Sequence, residues 1–478
     1  MHAKHRSAGL AQLTPVISPD HTGERAQPLW HGYCVRLVDL SLYRSAMNLF
    51  SYPTYQASAE LLRPLRALAD FTRVSLNAFP PLASAPLGRQ LQAGCDLIAL
   101  AGLTHQRPAF GIDQIVDGAH GLLAVTEEVA YQTPFCSLLH FKKDLDTPQP
   151  RVLMIAPMSG HFATLLRGTV RTMLADHDVY ITDWHNPRDI SLAHGRFGFD
   201  EYVAHVMECI KAIGPGAHVL AICQPTVAAL AAVSLMAADN HPDQPSSMTL
   251  MAGPLDTRIN PTSVNHLAKS KPIEWFEKKL ISAVPPGFAG AQRRVYPGFV
   301  QLGAFMAMNL ARHGDSLTDM YRERLKGDPE KAHAVRTFYE EYFATMDLTA
   351  EFYLETVETI FQQHALPLGQ LKVFGTTVDP SAIRRTALLT VEGEKDDICA
   401  VGQTLAAQDM CSRLRPYMKT HHVQTGVGHY GVFNGRRWEQ QIYPRVRALI
   451  YESDASSIPA QVMARPATGL REYMLSSR

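Results

Sequence analysis

The chain lacks a surplus of charge of either sign: 45 Lys and Arg residues stand against 45 Asp and Glu in 478 residues. Proteins that track nucleic acid or an anionic membrane carry a basic excess, so bulk electrostatics point to an uncharged or small substrate and away from nucleic acid. A disulfide framework is lacking too. The seven cysteines, Cys34, Cys95, Cys136, Cys209, Cys223, Cys399 and Cys411, form an odd set without CxxC spacing. In a chain too long to need staples, that implies free thiols in a reducing compartment. The basic start, MHAKHRSAGLAQLTPVIS, has no sustained apolar segment before a small-residue cleavage site, so export by a standard signal peptide is not expected. Internal repeats and low-complexity tracts are missing as well. One long uncharged run exists, Val219 to Ala238, with the length of a membrane span. Gln224 and Pro225 interrupt it, and proline suits the first turn of a helix rather than its interior. A buried strand, a sharp turn and a buried helix are therefore expected, with no transmembrane segment.

What is present is the composition of an ordinary soluble enzyme, 46% hydrophobic and 19% charged, in a chain longer than one compact core. Residues 1–105 read as an N-terminal extension, partly disordered and then helical from about Val35 to His105. The stretch Glu127 to Lys142 has the β-branched and aromatic runs of antiparallel edge strands. From Arg151 onward, apolar strands (RVLMI, DVYITDW, HVLAIC, SMTLM) alternate with helical patterns such as Phe199 to Gly214. That alternation means a mostly parallel sheet with helices on both faces. It stops across residues 256–380, which carry mainly helical patterns, and resumes with Thr386 to Asp396, a helix over Val401 to Leu414, a strand near Thr420 and a final helix. The expected organisation is an α/β core of residues 106–255 and 381–455, a helical cap inserted at 256–380, and a tail at 456–478. Trp275, Phe276, Phe299, Phe305, Met306 and Met308 are the cap's candidates for contact with an apolar substrate, set against a role in a helical core.

Acyl-transfer enzymes of this architecture place a nucleophile on a tight turn between strand and helix, usually within G-x-S-x-G. Here the stretch is Ala221-Ile222-Cys223-Gln224-Pro225. The motif match is weak, but Cys223 ends an apolar strand and precedes a helix, whose N-terminus favours a thiolate. The partners should follow in the order nucleophile, acid, base. An acidic turn, Gly393-Glu394-Lys395-Asp396-Asp397, and a loop histidine, Gly428-His429-Tyr430, each follow a strand in that order. Active sites of open α/β sheets collect at such strand ends. Backbone N–H groups of Gln224 and of Met158, in the loop after the first parallel strand, are the candidate oxyanion donors, with Ser159 as second choice for the latter. Two other patterns are weaker. GVGHYG (Gly426 to Gly431) matches a dinucleotide fingerprint but lacks the following βαβ unit, so no cofactor is expected. His421, His422 and His429 lack a thiolate or carboxylate to complete a metal set, and neighbours on a strand face opposite ways, so no metal is expected either.

The stretches TPFCSLLHFKKD (Thr133 to Asp144), APMSGHFATLLRGTV (Ala156 to Val170), ICQPTVAALAAVSLMA (Ile222 to Ala237), VEGEKDDICAVGQT (Val391 to Thr404) and GVGHYGVFNGRRW (Gly426 to Trp438) resemble the intracellular polyhydroxyalkanoate depolymerases. That family is related to the polyhydroxyalkanoate synthases. The resemblance implies an α/β-hydrolase fold with Cys223 as nucleophile, Asp396 as the acid and His429 as the base. It implies cleavage of poly(3-hydroxybutyrate)-type ester bonds through a thioester, in the cytoplasm and on polymer granules. The acyl acceptor is left open between water and CoA, and a homo-oligomer is left open. The family's CQPTVP stands here as CQPTVA, with Ala228, and the first hundred residues match less clearly. A polyhydroxyalkanoate synthase and a catalytically idle granule-binding protein are the competing readings. AICQP in place of G-x-C-x-G disfavours the first, and the complete trio disfavours the second.

Overall fold

The computed structural model describes residues 52–100, 102–117, 120–308 and 310–454. Cys34, the expected helix over 35–51, the whole expected tail at 456–478 and the side chain of Met308 lie outside the described residues. Nine strands form one sheet: β1 (Gln114–Asp117), β2 (Gly121–Gln132), β3 (Cys136–Lys143), β4 (Arg151–Ile155), β5 (Asp178–Trp184), β6 (His218–Ile222), β7 (Ser247–Met251), β8 (Ala387–Gly393) and β9 (Lys419–Gln424). Their spatial order is β1-β2-β3-β5-β4-β6-β7-β8-β9. The first three pair antiparallel, and β3 joins β5 antiparallel. From β5 to β9 every pairing is parallel. Strands β6, β7 and β8 are buried at every residue, as continuous apolar runs covered on both faces must be. With its crossover helices, this is the α/β-hydrolase fold.

The uncharged run resolves into β6, a turn at Cys223 and Gln224, and a helix over Pro225–Ala238 with Pro225 in its first turn. Among the described residues, no helix is long and apolar enough to cross a membrane. The strand β5 and the helix Phe199–Ile213 fall where the periodicity puts them. The expected helix over Val401 to Leu414 shrinks to Ala406–Met410. The cause is Glu392, fully buried at the end of β8, whose carboxylate accepts the backbone N–H groups of Gly402, Thr404 and Leu405 and holds that chain in turns.

Between β7 and β8 lie three short α-helices, a small three-stranded sheet, a two-stranded one and the long helices Gly298–Met308, Leu310–Lys326 and Pro329–Tyr342. These long helices do not stand alone. Of two helices before the sheet, α2 (Pro86–Leu100) packs with them around Leu100, Leu302, Met320, Tyr339 and Tyr342, while α1 (Tyr52–Asn77) meets them through Asp70 on Arg336 and Tyr55 on Phe299. At the centre of this bundle Asp96, 1% exposed, takes ion pairs from Arg336 at 2.5 Å and Arg324 at 2.9 Å. Tyr52, at the start of α1, donates to buried Asp347 at 2.5 Å. The helical layer is thus assembled from a segment before the sheet and one inserted between β7 and β8.

Candidate active site

The turn after β6 is strained. Cys223 has φ +68°, a left-handed backbone that residues with a side chain seldom adopt. The surroundings hold it there. Its N–H donates to the Met251 carbonyl at 2.8 Å, and its carbonyl accepts from the Thr226 N–H and hydroxyl. Gly253 lets the loop after β7 close against this turn, because a Cβ there would lie 1.9 Å from the Thr226 hydroxyl oxygen. The sequence reading missed Gly253, although a glycine directly after an apolar strand is a visible sign of close backbone approach.

Asp396 sits in the turn after β8. Its Oδ1 accepts the N–H groups of Ile398 and Cys399, both at 2.9 Å, and its Oδ2 meets His429 Nδ1 at 2.8 Å. Both side chains are buried. The neighbouring Asp397 is exposed, so the turn aims one carboxylate inward and the other at solvent. Glu394 accepts the Gly426 N–H at 2.7 Å and Lys395 N–H donates to Val427, which ties the acid turn to the histidine loop. The His429 ring is packed edge-on against Tyr430 and Phe433.

The structure places the Cys223 sulfur beside His429, which Asp396 holds, near enough for the two groups to shift each other's titration. The Cys223 thiol is held well below its usual range by a hydrogen bond from Cys399, which burial opposes and which His429 and the Gln224 N–H reinforce. Burial pulls His429 down, but the Cys223 sulfur and Asp396 outweigh it and hold the imidazole well above its usual value. The two shifts describe a thiolate beside an imidazolium. That pair can attack an acyl carbon and then protonate the leaving group.

Met158 lies three residues past Ile155, which pairs with Ala221, so its loop ends beside the Cys223 turn across adjacent strands. The loop's entry is fixed by the Ala156 N–H on the Thr182 hydroxyl and by Trp184 Nε1 on the Ala156 carbonyl. The Gln224 N–H lies against the Cys223 sulfur. The Gln224 side-chain amide is buried with no hydrogen-bond partner among the described residues. His421 and His422 bond separately to Thr390 and Gln424, apart from His429 on Asp396.

The cap covers this site through aromatic contacts. Tyr430, beside His429, packs on Phe338 and Tyr342 of the helix Pro329–Tyr342. His161, in the loop after Met158, stacks on Phe305 and contacts Tyr342. The other aromatics singled out in the sequence serve packing. Phe276 is buried, half-buried Trp275 lies edge-on to it, and Phe299 stacks on Tyr55 of α1. Large exposed apolar side chains concentrate elsewhere, on α1 and α2 and the turn between them: Leu61, Leu68, Phe71, Phe79 and Leu87.

Residues 252–454 match the family model described as PHB de-polymerase C-terminus. Through this region the chain resembles the PHB depolymerase family. The matched part includes the cap helices, Asp396 and His429, while Cys223 and Met158 precede it. Together with the α/β-hydrolase fold, the match supports a hydrolase. No curated protein matches the chain. Its solved structural neighbours include the α/β hydrolase GrgF from Penicillium sp. sh18, at 13% identity over 70% of this chain and 99% of that one, TM-score 0.40. A thermophilic esterase from Thermogutta terrifontis is 11% identical over 71% and 98% of the two chains, TM-score 0.34. A 2-hydroxy-6-oxo-6-phenylhexa-2,4-dienoate hydrolase from Rhodococcus sp. strain RHA1 is 11% identical over 69% and 99%, TM-score 0.35.

Proposed function

We propose that the protein is a carboxylic ester hydrolase that depolymerises poly(3-hydroxybutyrate)-type polyesters by covalent catalysis at Cys223. The observation that carries this reading is the buried His429–Asp396 pair at the ends of β9 and β8, beside half-buried Cys223 at the end of β6, in a chain that resembles the PHB depolymerase family. The Cys223 thiolate attacks a backbone ester carbonyl of the polymer. Backbone N–H groups of Gln224 and Met158 are the proposed oxyanion donors. Collapse of the tetrahedral intermediate breaks the C–O bond, and His429 gives its proton to the departing 3-hydroxyacyl alkoxide. His429 then takes a proton from water, or from the thiol of CoA, as that acceptor attacks the thioester and the Cys223 thiolate leaves. Asp396 holds the ring on its Nδ1 side and stabilises the imidazolium. The unpartnered Gln224 amide is available to the polar groups of the acyl chain.

The substrate is insoluble and apolar, so part of the protein meets a granule surface in the cytoplasm. The exposed apolar side chains of α1 and α2 support that role better than the packed cap aromatics do. Incubation with amorphous poly(3-hydroxybutyrate) granules, with and without CoA, tests the reading. It predicts 3-hydroxybutyrate or its oligomers in water, or the corresponding acyl-CoA if CoA is the acceptor. Release of CoA and growth of polymer from 3-hydroxybutyryl-CoA, with no granule cleavage, contradicts it.

A further inference from the structure

We infer that His161 is a positioning residue that holds the oxyanion-binding loop in place by donating from its Nε2–H to the Tyr342 carbonyl. The inference rests on reading Cys223 as the nucleophile and the Met158 N–H as an oxyanion donor. The loop after β4 is anchored at both ends. At its entry the Ala156 N–H donates to the Thr182 hydroxyl and the Ala156 carbonyl accepts from Trp184 Nε1, both at 2.9 Å. At its exit the Gly160 carbonyl accepts the Met346 N–H at 3.0 Å, and His161 forms an antiparallel bridge with Thr345. The His161 ring, through Nε2, meets the Tyr342 carbonyl at 3.2 Å. Pro157, Met158 and Ser159 are the three residues between these anchors, so both of them set the place of the Met158 N–H.

The chemistry of the exit fixes the direction of that hydrogen bond. A carbonyl only accepts, so His161 Nε2 carries the proton. Tyr342 ends the helix Pro329–Tyr342, where the last carbonyls have no intrahelical donor, and the imidazole N–H supplies one. The His161 side chain is 3% exposed, and burial holds it down to about 4, so the ring is neutral at pH 7. Its neighbours leave it little freedom, since it stacks on Phe305 at 5.8 Å and lies 5.1 Å from the Tyr342 ring. Gly160 makes the turn before it with φ +91°, and a Cβ there would lie 2.9 Å from Gln301 Cγ. The cap side of the anchor is itself tied down, by the Thr345 N–H on the Thr104 carbonyl and the Asp347 N–H on Asn186 Oδ1. A shift of about 1 Å in a donor aimed at the oxyanion costs on the order of 10²-fold in rate. The His161 hydrogen bond runs to the cap and not to the Asp396–His429 pair, so its loss should spare the thiolate's own reactivity.

The test separates oxyanion binding from thiolate reactivity in the full chain. Ester cleavage forms an oxyanion, whereas alkylation of Cys223 by iodoacetamide displaces iodide and forms none. His161→Phe keeps an aromatic ring and loses the donor. With its fold checked by thermal melting, it should lower kcat on p-nitrophenyl butyrate about 10–100-fold, with KM and the alkylation rate each within about threefold of the parent's. His161→Leu, a second variant without a donor, should show the same split. His161→Gln, whose amide keeps an N–H, should stay close to the parent. The inference is overturned if a folded Phe or Leu variant keeps the parent's kcat, if alkylation falls in step with kcat, or if Gln loses as much as they do. Met158→Pro, which removes the N–H itself, judges the donor reading separately, since the parent's kcat there would defeat it. Retained ester cleavage by Cys223→Ala would defeat the nucleophile reading alone.

Discussion

Replacing Asp396 by Asn exchanges one oxygen for an NH₂ group at the most constrained point of the site. Oδ2 accepts from His429 Nδ1, while Oδ1 already takes two backbone N–H groups, from Ile398 and Cys399. An amide has one acceptor oxygen. Turned toward the backbone pair, it sets its NH₂ against His429 and forces the ring's proton to the wrong nitrogen. Turned toward His429, it sets NH₂ against two donors. Asp396 is also one of the two charges that raise His429, so its loss lowers the imidazolium pKa and moves the alkaline limb of activity to lower pH. The equivalent change in a serine triad costs about 10⁴-fold. A thiolate needs less help from its base, so about 10²–10³-fold in kcat/KM is expected here, or roughly 3–4 kcal/mol of transition-state stabilisation. The assay is hydrolysis of a soluble p-nitrophenyl short-chain ester, where granule adsorption plays no part. Exposed Asp397 serves as the internal control, and Asp397→Asn should stay within about threefold of the parent, as surface changes do. A parent-like Asp396→Asn beside a crippled Asp397→Asn would refute the assignment of the acid.

Asp96→Ala should destabilise the protein by about 1.5–3 kcal/mol in denaturant melts, because Arg336 and Arg324 lose their shared buried carboxylate while Arg336 keeps Glu340 and Asp70; no measurable change would contradict the packing of α2 on the cap helices. Acid should weaken the fold below about pH 6.5. Burial holds His105 down to about 3 and His161, His177 and His218 down to about 4, so the unfolded chain binds more protons from 6.5 downward and stability falls with pH. Burial also lowers His205, His364 and His422, which makes seven histidines. Asp183 and Asp347, pushed up to about 6, and Asp189, Glu341 and Glu355, raised by burial, act in the opposite sense, and a melting temperature that stays flat from pH 7 to 4.5 would contradict this. Leu68→Glu with Phe71→Glu should reduce sedimentation with granules several-fold while leaving soluble-ester hydrolysis unchanged, and equal loss on both substrates would remove the exposed face of α1 from granule contact.

The strands β4 to β8 were legible because burial on both faces demands unbroken apolar runs. The turn at Cys223 was legible without flanking glycines, because strand gives way to helix at Pro225. The convergence of Asp396 and His429 on Cys223 followed from their order at successive strand ends. The packing of α1 and α2 with the cap was not legible. Apolar helix faces do not name their partners, and Asp96 meets Arg324 and Arg336 across 228 and 240 residues. For the same reason the cap aromatics looked available for substrate, when Phe299 is spent against Tyr55. Helical periodicity over Val401 to Leu414 gave no hint that Glu392 would claim its backbone N–H groups.

The covalent role of Cys223 is tested most directly by acid-quenching the protein during turnover of amorphous poly(3-hydroxybutyrate) and mapping acyl adducts by peptide mass spectrometry. A 3-hydroxybutyryl or oligomeric adduct on the Cys223 peptide, lost in Cys223→Ala together with all polymer cleavage, is the predicted result. Cleavage at the parent rate by a folded Cys223→Ala, or an adduct on another side chain, would contradict it.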